Sequence, residues 1–221
     1  MSLLSRPDAI LFDWDNTLVD TWPTIHASLN IVMEKMGHAP WSLEKVQSEV
    51  KQSMRDSFPI LFGDRWEEAA ELYQQSYRAV HLENLLALPT AEETLKQLKD
   101  LPVFVGIVSN KKGPTLREEV AHLGWESYFE SMVGAQDAER DKPDPAPVAL
   151  ALEKAHLPED SHIWFIGDSI IDIECAHNTG CAPVLYGEVA KVINGELDGH
   201  ALAHHTPNHD ALRAAIAQAF A

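Results

Sequence analysis

Short apolar runs alternate with helical segments along most of this chain, and the alternation limits the folds it can adopt. The apolar runs occupy residues 9–14, 103–108, 162–168 and 182–186, with a shorter one near 132–135. Segments with helical spacing, each about ten residues long, separate the later runs. Strands that alternate with helices of this length form right-handed βαβ units and a parallel sheet. We therefore predict an α/β fold with a doubly wound parallel sheet.

Residues 20–86 interrupt the alternation directly after the first predicted strand. Apolar side chains recur there at helical spacing in three segments, which run from Ile25 to Met36, from Leu43 to Met54 and from Trp66 to Val80. No strand pattern separates these three predicted helices. The predicted domains are therefore an α/β core of residues 1–19 and 87–221 and an inserted all-helical domain of residues 20–86.

Local signals add two predictions outside the helical insert. Thr90 is followed three residues later by Glu93, which is the pattern of a capping box at the start of a helix. The histidine-rich stretch GHALAHHTPNH, residues 199–209, has no spacing that fits a tetrahedral zinc site. We therefore predict that this stretch is a polar surface loop, with a last helix over residues 210–220.

The composition restricts the partners and the compartment of the protein. Its formal net charge of −17 disfavours nucleic acids and anionic membranes, since both attract basic surfaces. The chain has only two cysteines, and its start, MSLLSRPD, lacks the apolar stretch of a signal peptide. We expect a cytoplasmic protein that binds a small molecule, and both a monomer and a homodimer are consistent with the sequence.

Polar side chains follow the predicted strands where each strand ends. They are Asp13 and Asp15 after the first strand, Ser109 and Asn110 after the second, and Asp168, with Asp172 four residues later, after the strand 162–167; Lys142 lies in a loop between the last two. Ligands of doubly wound sheets bind at the carboxyl ends of the strands. We therefore expect these side chains to converge on one site.

Paired carboxylates of this kind permit phosphoryl transfer. Asp13 can attack phosphorus and form an aspartyl phosphate, and Asp15 can act as the general acid and base. Asp13 and Asp168, with Asp172 directly or through water, can hold Mg²⁺, which prefers oxygen ligands. The cation would also allow neighbouring carboxylates to stay ionised.

The remaining polar side chains suit a phosphate group. The Ser109 hydroxyl and the Asn110 amide can donate to phosphoryl oxygens. Lys142 offers a point charge that suits both a phosphate and the aspartates. The predicted phosphate-binding residues are therefore Ser109, Asn110 and Lys142.

Four short motifs resemble, in order, those of the haloacid dehalogenase-like superfamily. They are DWDNT at 13–17, VSN at 108–110, KPDP at 142–145 and GDSIID at 167–172. The position of the insert is similar to that of the helical cap in the phosphoglycolate phosphatase-like branch. The resemblance implies a Rossmann-like core and Mg²⁺-dependent hydrolysis of a small phosphomonoester, such as phosphoglycolate or a sugar phosphate. It also implies that the backbone carbonyl of Asp15 binds the metal.

The chain departs from the family pattern at two places. Asn16 stands where the family often has glycine, and we expect the turn to form because asparagine tolerates the left-handed backbone region. The second departure is VKQSMRDSF, residues 50–58, where many relatives have a glycine. Lys51 or Arg55 in this stretch is predicted to contact the substrate.

Other functions of the same superfamily remain open. A phosphonoacetaldehyde hydrolase would need a cap lysine that forms a Schiff base, and Lys51 is a candidate. A phosphomutase would bind a sugar phosphate in two orientations, and a catalytically idle phosphate-binding protein would turn nothing over. A dehalogenase would not need an acid at position 15, so the presence of Asp15 counts against that activity.

Overall fold

The structure is a computed structural model that describes residues 5–50, 53–188 and 200–221. It divides into two compact units, one formed by Met1–Val19 with Ala87–Ala221 and the other by Asp20–Leu86. We refer to the first as the α/β unit and to the second as the helical unit.

The strands of the described residues form one large sheet and one small sheet. The bounds are β1 (Ala9–Phe12), β2 (Val19–Asp20), β3 (Leu86–Ala87), β4 (Phe104–Lys112), β5 (Ser131–Ala135), β6 (Ile163–Gly167), β7 (Ala182–Tyr186) and β8 (His204–Thr206). The large sheet has the order β5-β4-β1-β6-β7-β8 with every pair parallel, and β2 pairs with β3. The predicted α/β class with a parallel sheet is confirmed.

The helices of the described residues are 7 to 14 residues long. The bounds are α1 (Trp22–Lys35), α2 (Leu43–Glu49), α3 (Met54–Phe62), α4 (Trp66–Arg78), α5 (Ala91–Lys99), α6 (Gly113–His122), α7 (Ala146–Leu152), α8 (Ile170–Thr179) and α9 (His209–Ala219), with 3₁₀ turns at Gly63–Arg65 and Glu126–Tyr128. Within the described ranges, no helix is long and apolar enough to cross a membrane.

The core of the α/β unit surrounds the strand β1. Every residue of β1 is buried, as are the positions of β4 and β6 that pair with residues 10–12. Leu11 packs in one cluster with Val108 and Phe165, and the same cluster contains Cys175 and Cys181. A strand that is buried on both faces has apolar residues at successive positions, which explains why β1 could be predicted from the sequence.

The helical unit has an apolar core of its own, and one of its predicted helices is wrong. The helix predicted from Leu43 to Met54 ends at Glu49 as α2, and a separate helix, α3, begins at Met54 and continues to Phe62. The Ser53 hydroxyl donates to the Asp56 carboxylate at 3.0 Å, a local interaction that favours a new helix start. Phe58 and Phe62 of α3 then pack in the core of the unit.

Two local predictions in the α/β unit are also wrong. Thr90 precedes α5 but makes no capping bond; it has a φ of 59° and donates its hydroxyl to Asp210 at 3.0 Å. Residues 204–206 of the predicted surface loop form the edge strand β8, which pairs with β7. A three-residue strand rich in histidine carries no apolar run, so only the pairing with β7 reveals it.

Candidate active site

The geometry of the predicted site is organised by Lys142. Its ammonium nitrogen Nζ lies 2.8 Å from Asp13 Oδ1 and 2.7 Å from Asp172 Oδ1. Asp13 directly follows β1, Asp172 lies in the first turn of α8, and Lys142 lies in a turn before α7. Their exposures are 7%, 1% and 2%, so the three charges are held away from solvent. The structure therefore brings together three residues that are far apart in the sequence.

Asp168 completes a group of three carboxylates. One oxygen of each of Asp13, Asp168 and Asp172 lies within 4.8 Å of the others. We call these three residues the carboxylate cluster. Asp172 Oδ2 accepts hydrogen bonds from the backbone N–H and the hydroxyl of Ser169, which fixes its side chain. Gly167 makes the approach possible, since a Cβ there would lie 2.2 Å from Asp172 Cγ.

The positive charge of Lys142 does not balance the negative charge of the carboxylate cluster. Burial raises the pKa of Asp13 to about 6, against the opposing charge of Lys142, and Asp172 and Asp15 add to the rise. Burial and the charges of Asp172 and Asp13 raise the pKa of Asp168 well above its usual value. Burial alone would lower the pKa of Lys142, but the charges of Asp13 and Asp172 hold it above its usual value.

The cluster fits a divalent cation. Three carboxylates with a single ammonium leave an excess of two negative charges when all are ionised. Oxygen ligands at this spacing are those that a hard cation such as Mg²⁺ takes in proteins. A bound dication would balance the excess and favour the ionised forms of Asp13 and Asp168. The carboxylate cluster therefore fits Mg²⁺, the cation that the predicted activity needs.

The predicted phosphate residues Ser109 and Asn110 lie within β4, which continues four residues beyond the predicted strand end. Ser109 is buried, and its hydroxyl accepts from the backbone N–H of Lys111 at 3.2 Å. The Asn110 amide accepts from the backbone N–H of Lys142 at 2.9 Å and donates to its carbonyl at 3.0 Å. Asn110 is thus hydrogen-bonded to both the backbone N–H and the backbone carbonyl of Lys142.

Asp15 lies outside the carboxylate cluster and in a second buried network. Its Oδ1 lies 2.7 Å from Nζ of Lys111, the same Nζ lies 2.9 Å from Glu119 Oε2, and the Trp14 indole N–H donates to that Oε2 at 2.7 Å. The sequence interpretation missed Lys111 and Glu119. One signal pointed to Glu119, since it lies three residues after Leu116 and next to Val120 on the buried face of α6.

The three remaining predicted positions differ in what the structure says of them. Asn16 has a φ of 60°, so the expected left-handed turn is present, with its N–H bonded to the Val19 carbonyl at 2.7 Å. Arg55 belongs to α3 of the helical unit, and its contact with substrate stays a prediction. Lys51 lies outside the described residues.

Comparison with known proteins decides the family. The family model described as haloacid dehalogenase-like hydrolase matches residues 10–185, which is most of the 221-residue chain. The chain belongs to this family. The predicted assignment to the haloacid dehalogenase-like hydrolases is therefore confirmed, and with it the expectation that the protein is a hydrolytic enzyme.

Relatives of this haloacid dehalogenase-like hydrolase match most of its length. A phosphoglycolate phosphatase of Rhodobacter capsulatus is 30% identical over 81% of this chain and 84% of its own length. The pyrophosphatase PpaX of Bacillus pumilus is 30% identical over 92% of this chain and 91% of its own. A crystal structure of a hydrolase of the same superfamily from Ehrlichia chaffeensis is 32% identical, covers 99% of this chain and 100% of its own, and superposes with a TM-score of 0.67.

Proposed function

We propose that this protein is a Mg²⁺-dependent phosphatase that hydrolyses a small phosphomonoester through an aspartyl phosphate on Asp13. The observation that carries the proposal is the carboxylate cluster with the Lys142 ammonium on Asp13. Phosphoryl transfer requires a nucleophile and positive charge that stabilises the phosphoryl oxygens, and here a carboxylate lies beside the Lys142 ammonium and a site for a dication. The relatives named as phosphatases support the same reaction class.

Asp13 and Asp15 divide the covalent chemistry between them. A carboxylate oxygen of Asp13 attacks phosphorus, the ester P–O bond breaks, and the protonated Asp15 gives its proton to the departing oxygen. In the second half, Asp15 takes a proton from water, the water oxygen attacks phosphorus, and the bond between Asp13 and phosphorus breaks. The products are the free alcohol and inorganic phosphate, and Asp15 is again protonated.

Lys142 and Ser109 are proposed to bind the phosphoryl group. Lys142 keeps its positive charge because of Asp13 and Asp172, so it attracts the phosphoryl oxygens beside the nucleophile. The Ser109 hydroxyl is the second predicted donor. Asn110 is proposed to act through Lys142, since its amide already grips that backbone at two groups.

The carboxylates of Asp13 and Asp168 and the backbone carbonyl of Asp15 are proposed to hold Mg²⁺. The cation would offset the charge that develops on the phosphoryl oxygens. Both Asp172 oxygens already accept hydrogen bonds, one from Lys142 and the other from Ser169. This arrangement supports a water-mediated role for Asp172 and a direct one for Asp168.

Pyrophosphate is a second candidate substrate. A relative is named as a pyrophosphatase, and cleavage of pyrophosphate needs the same nucleophile and the same cation. We propose that the helical unit acts as the cap and selects between phosphoglycolate, sugar phosphates and pyrophosphate. Arg55 and Lys51 remain its predicted substrate contacts.

The test measures phosphate release from a panel of these compounds in the presence of Mg²⁺. Wild type is compared with Asp13→Asn and with Asp8→Asn, an aspartate at the opposite end of β1. We expect Asp13→Asn to lower kcat on the order of 10⁴-fold or more, because an amide cannot attack phosphorus. Asp8→Asn should stay within about threefold of wild type, since surface substitutions away from a site have small effects.

Two results would count against the proposal. Phosphate release by Asp13→Asn at a rate near that of wild type would remove Asp13 as the nucleophile. A folded wild type that releases no phosphate from any compound would exclude the phosphatase and favour a mutase, a phosphonate hydrolase or an idle binder, in that order.

A further inference from the structure

A buried charge network lies beside the candidate active site and outside its phosphate-binding part. It consists of Asp15, Lys111, Glu119 and Trp14, and we call it the Lys111 network. Lys111 is the second-last residue of β4 and follows the predicted phosphate residues, and Glu119 lies in α6. The Lys111 ammonium bridges two carboxylates, at 2.7 Å from Asp15 Oδ1 and 2.9 Å from Glu119 Oε2.

The network is buried and hydrogen-bonded on the side away from Asp15. The Glu119 side chain is 0% exposed and accepts hydrogen bonds from both Lys111 and the Trp14 indole. Trp14 is also fully buried and meets the ring of Trp125 edge to face, with ring centroids 6.0 Å apart. Glu119 therefore fixes the Lys111 ammonium from behind, and Lys111 in turn holds one oxygen of Asp15.

Stability alone does not explain this arrangement. A buried ion pair often contributes no more to folding than apolar side chains of similar volume, because desolvation offsets the attraction. The Lys111 ammonium also has a second partner, Asp15, whose side chain is 21% exposed. Asp15 follows the carboxyl end of β1, where the proposed nucleophile Asp13 also lies. A proton carrier must lie within hydrogen-bond reach of the leaving oxygen, so its rotamer matters for the rate.

We propose that Lys111 and Glu119 are positioning residues that hold the Asp15 carboxylate in place for proton transfer. The inference rests on the proposed function, in which Asp15 protonates the leaving oxygen. Lys111 acts on Asp15 directly, and Glu119 acts through Lys111. Neither residue is placed on the phosphate or on the cation.

The test uses a paired substitution, because Lys111→Met alone would leave Glu119 as an uncompensated buried charge and endanger folding. Lys111→Met with Glu119→Gln removes both charges together. The new amide oxygen at position 119 can still accept from the Trp14 indole, and methionine fills the volume of the lysine stem. The matched control is Glu118→Gln, which changes the exposed neighbouring carboxylate of α6.

The measurement is kcat/KM for two kinds of ester. An alkyl phosphate needs a proton on its leaving oxygen, whereas 4-nitrophenyl phosphate releases a stable anion without one. We expect the double variant to lose about 10-fold to 100-fold on the best alkyl phosphate and less than about threefold on the aryl ester. Asp15→Asn should show a larger loss of the same selective kind, and Glu118→Gln should show neither loss.

Equal losses on the two esters, or no loss on the alkyl ester, would overturn the positioning role. If wild type releases no phosphate from any ester, the proposed function fails, and the positioning role for proton transfer fails with it. If wild type is active, a crystal structure of the double variant gives a second readout: Asp15 in a new or a second rotamer would support the positioning role, and Asp15 unchanged would refute it.

Discussion

His209 shows how a single buried residue connects the helix α9 to the turn that follows Asp13 and Asp15. The side chain is fully buried, and its Nε2–H donates to the Thr17 carbonyl at 2.8 Å. Its Nδ1 lies 3.1 Å from the Thr94 hydroxyl. Burial lowers the pKa of His209 from 6.5 to about 4, so the folded protein keeps this imidazole neutral at neutral pH.

The lowered pKa predicts a pH dependence of stability. Below pH 6.5 the unfolded chain takes up a proton on His209 that the folded protein refuses until about pH 4. The free energy of unfolding should therefore fall as the pH falls through this window, by about 3 kcal/mol from this residue. Denaturant unfolding of wild type and of His209→Gln between pH 4 and pH 7 measures it.

The difference between these two proteins isolates His209 from the carboxylates that titrate nearby. Wild type should lose its advantage over His209→Gln as the pH falls, while His122→Gln, at an exposed histidine of α6, should follow wild type. An advantage of wild type that does not change with pH would contradict the buried neutral imidazole.

At the scale of elements, the end of β4 sets the geometry of the site. Side chains alternate along a strand, so Asn110 meets Lys142 while Lys111 meets Asp15 and Glu119. The pairing of β4 with β5 is irregular between Val108 and Lys112, where these polar residues lie. One strand end thus contacts both Lys142, the proposed phosphate-binding cation, and Asp15, the proposed proton carrier.

We predict that Asn110→Ala displaces Lys142 without unfolding the sheet. The change removes two hydrogen bonds to the Lys142 backbone, which should lower the free energy of unfolding by about 1–3 kcal/mol. Because Lys142 then loses its fixed position beside Asp13, kcat should fall about 10-fold to 100-fold. Thermal unfolding and steady-state kinetics measure the two effects.

Asn178→Ala is the matched control for this variant. The Asn178 amide donates to the carbonyl of Pro143, the residue after Lys142, from the exposed face of α8. We expect a small loss of stability and a kcat within about threefold of wild type, since only one exposed bond is lost. A loss of kcat as large as that of Asn110→Ala would contradict a specific grip on Lys142.

At the scale of the whole molecule, the cation should act on both stability and turnover. Mg²⁺ at a hundredfold excess over its Kd should raise the free energy of unfolding by about 3 kcal/mol, or roughly 5–10 °C in Tm. EDTA should abolish phosphate release, and added Mg²⁺ should restore it. Thermal scans of wild type and Asp168→Asn, with NaCl at equal ionic strength as the salt control, measure the effect on stability.

Asp168→Asn removes one charge of the carboxylate cluster, so its Tm should respond little to Mg²⁺. An equal rise of Tm in this variant would locate the cation elsewhere on a chain whose net charge is −17. Phosphate release that continues undiminished in EDTA would remove the cation from the proposed reaction.

The sequence by itself determined the fold class and the identity of the polar residues at the strand ends. A buried parallel strand is a continuous apolar run, so β1, β6 and β7 could be predicted with bounds close to those observed. The carboxyl ends of parallel strands share one edge of the sheet, which is why Asp13 and Asp168 could be assigned to one site.

Only the tertiary structure decided which of these residues pair and which others join them. The ion pair of Lys111 with Glu119, the grip of Asn110 on Lys142 and the strand β8 all depend on segments brought together by folding. Local sequence also misled at Thr90, whose hydroxyl bonds to Asp210 rather than to its own helix. The physical reason is that propensity and periodicity describe neighbours along the chain, whereas charge pairing and burial act between residues that are distant in sequence.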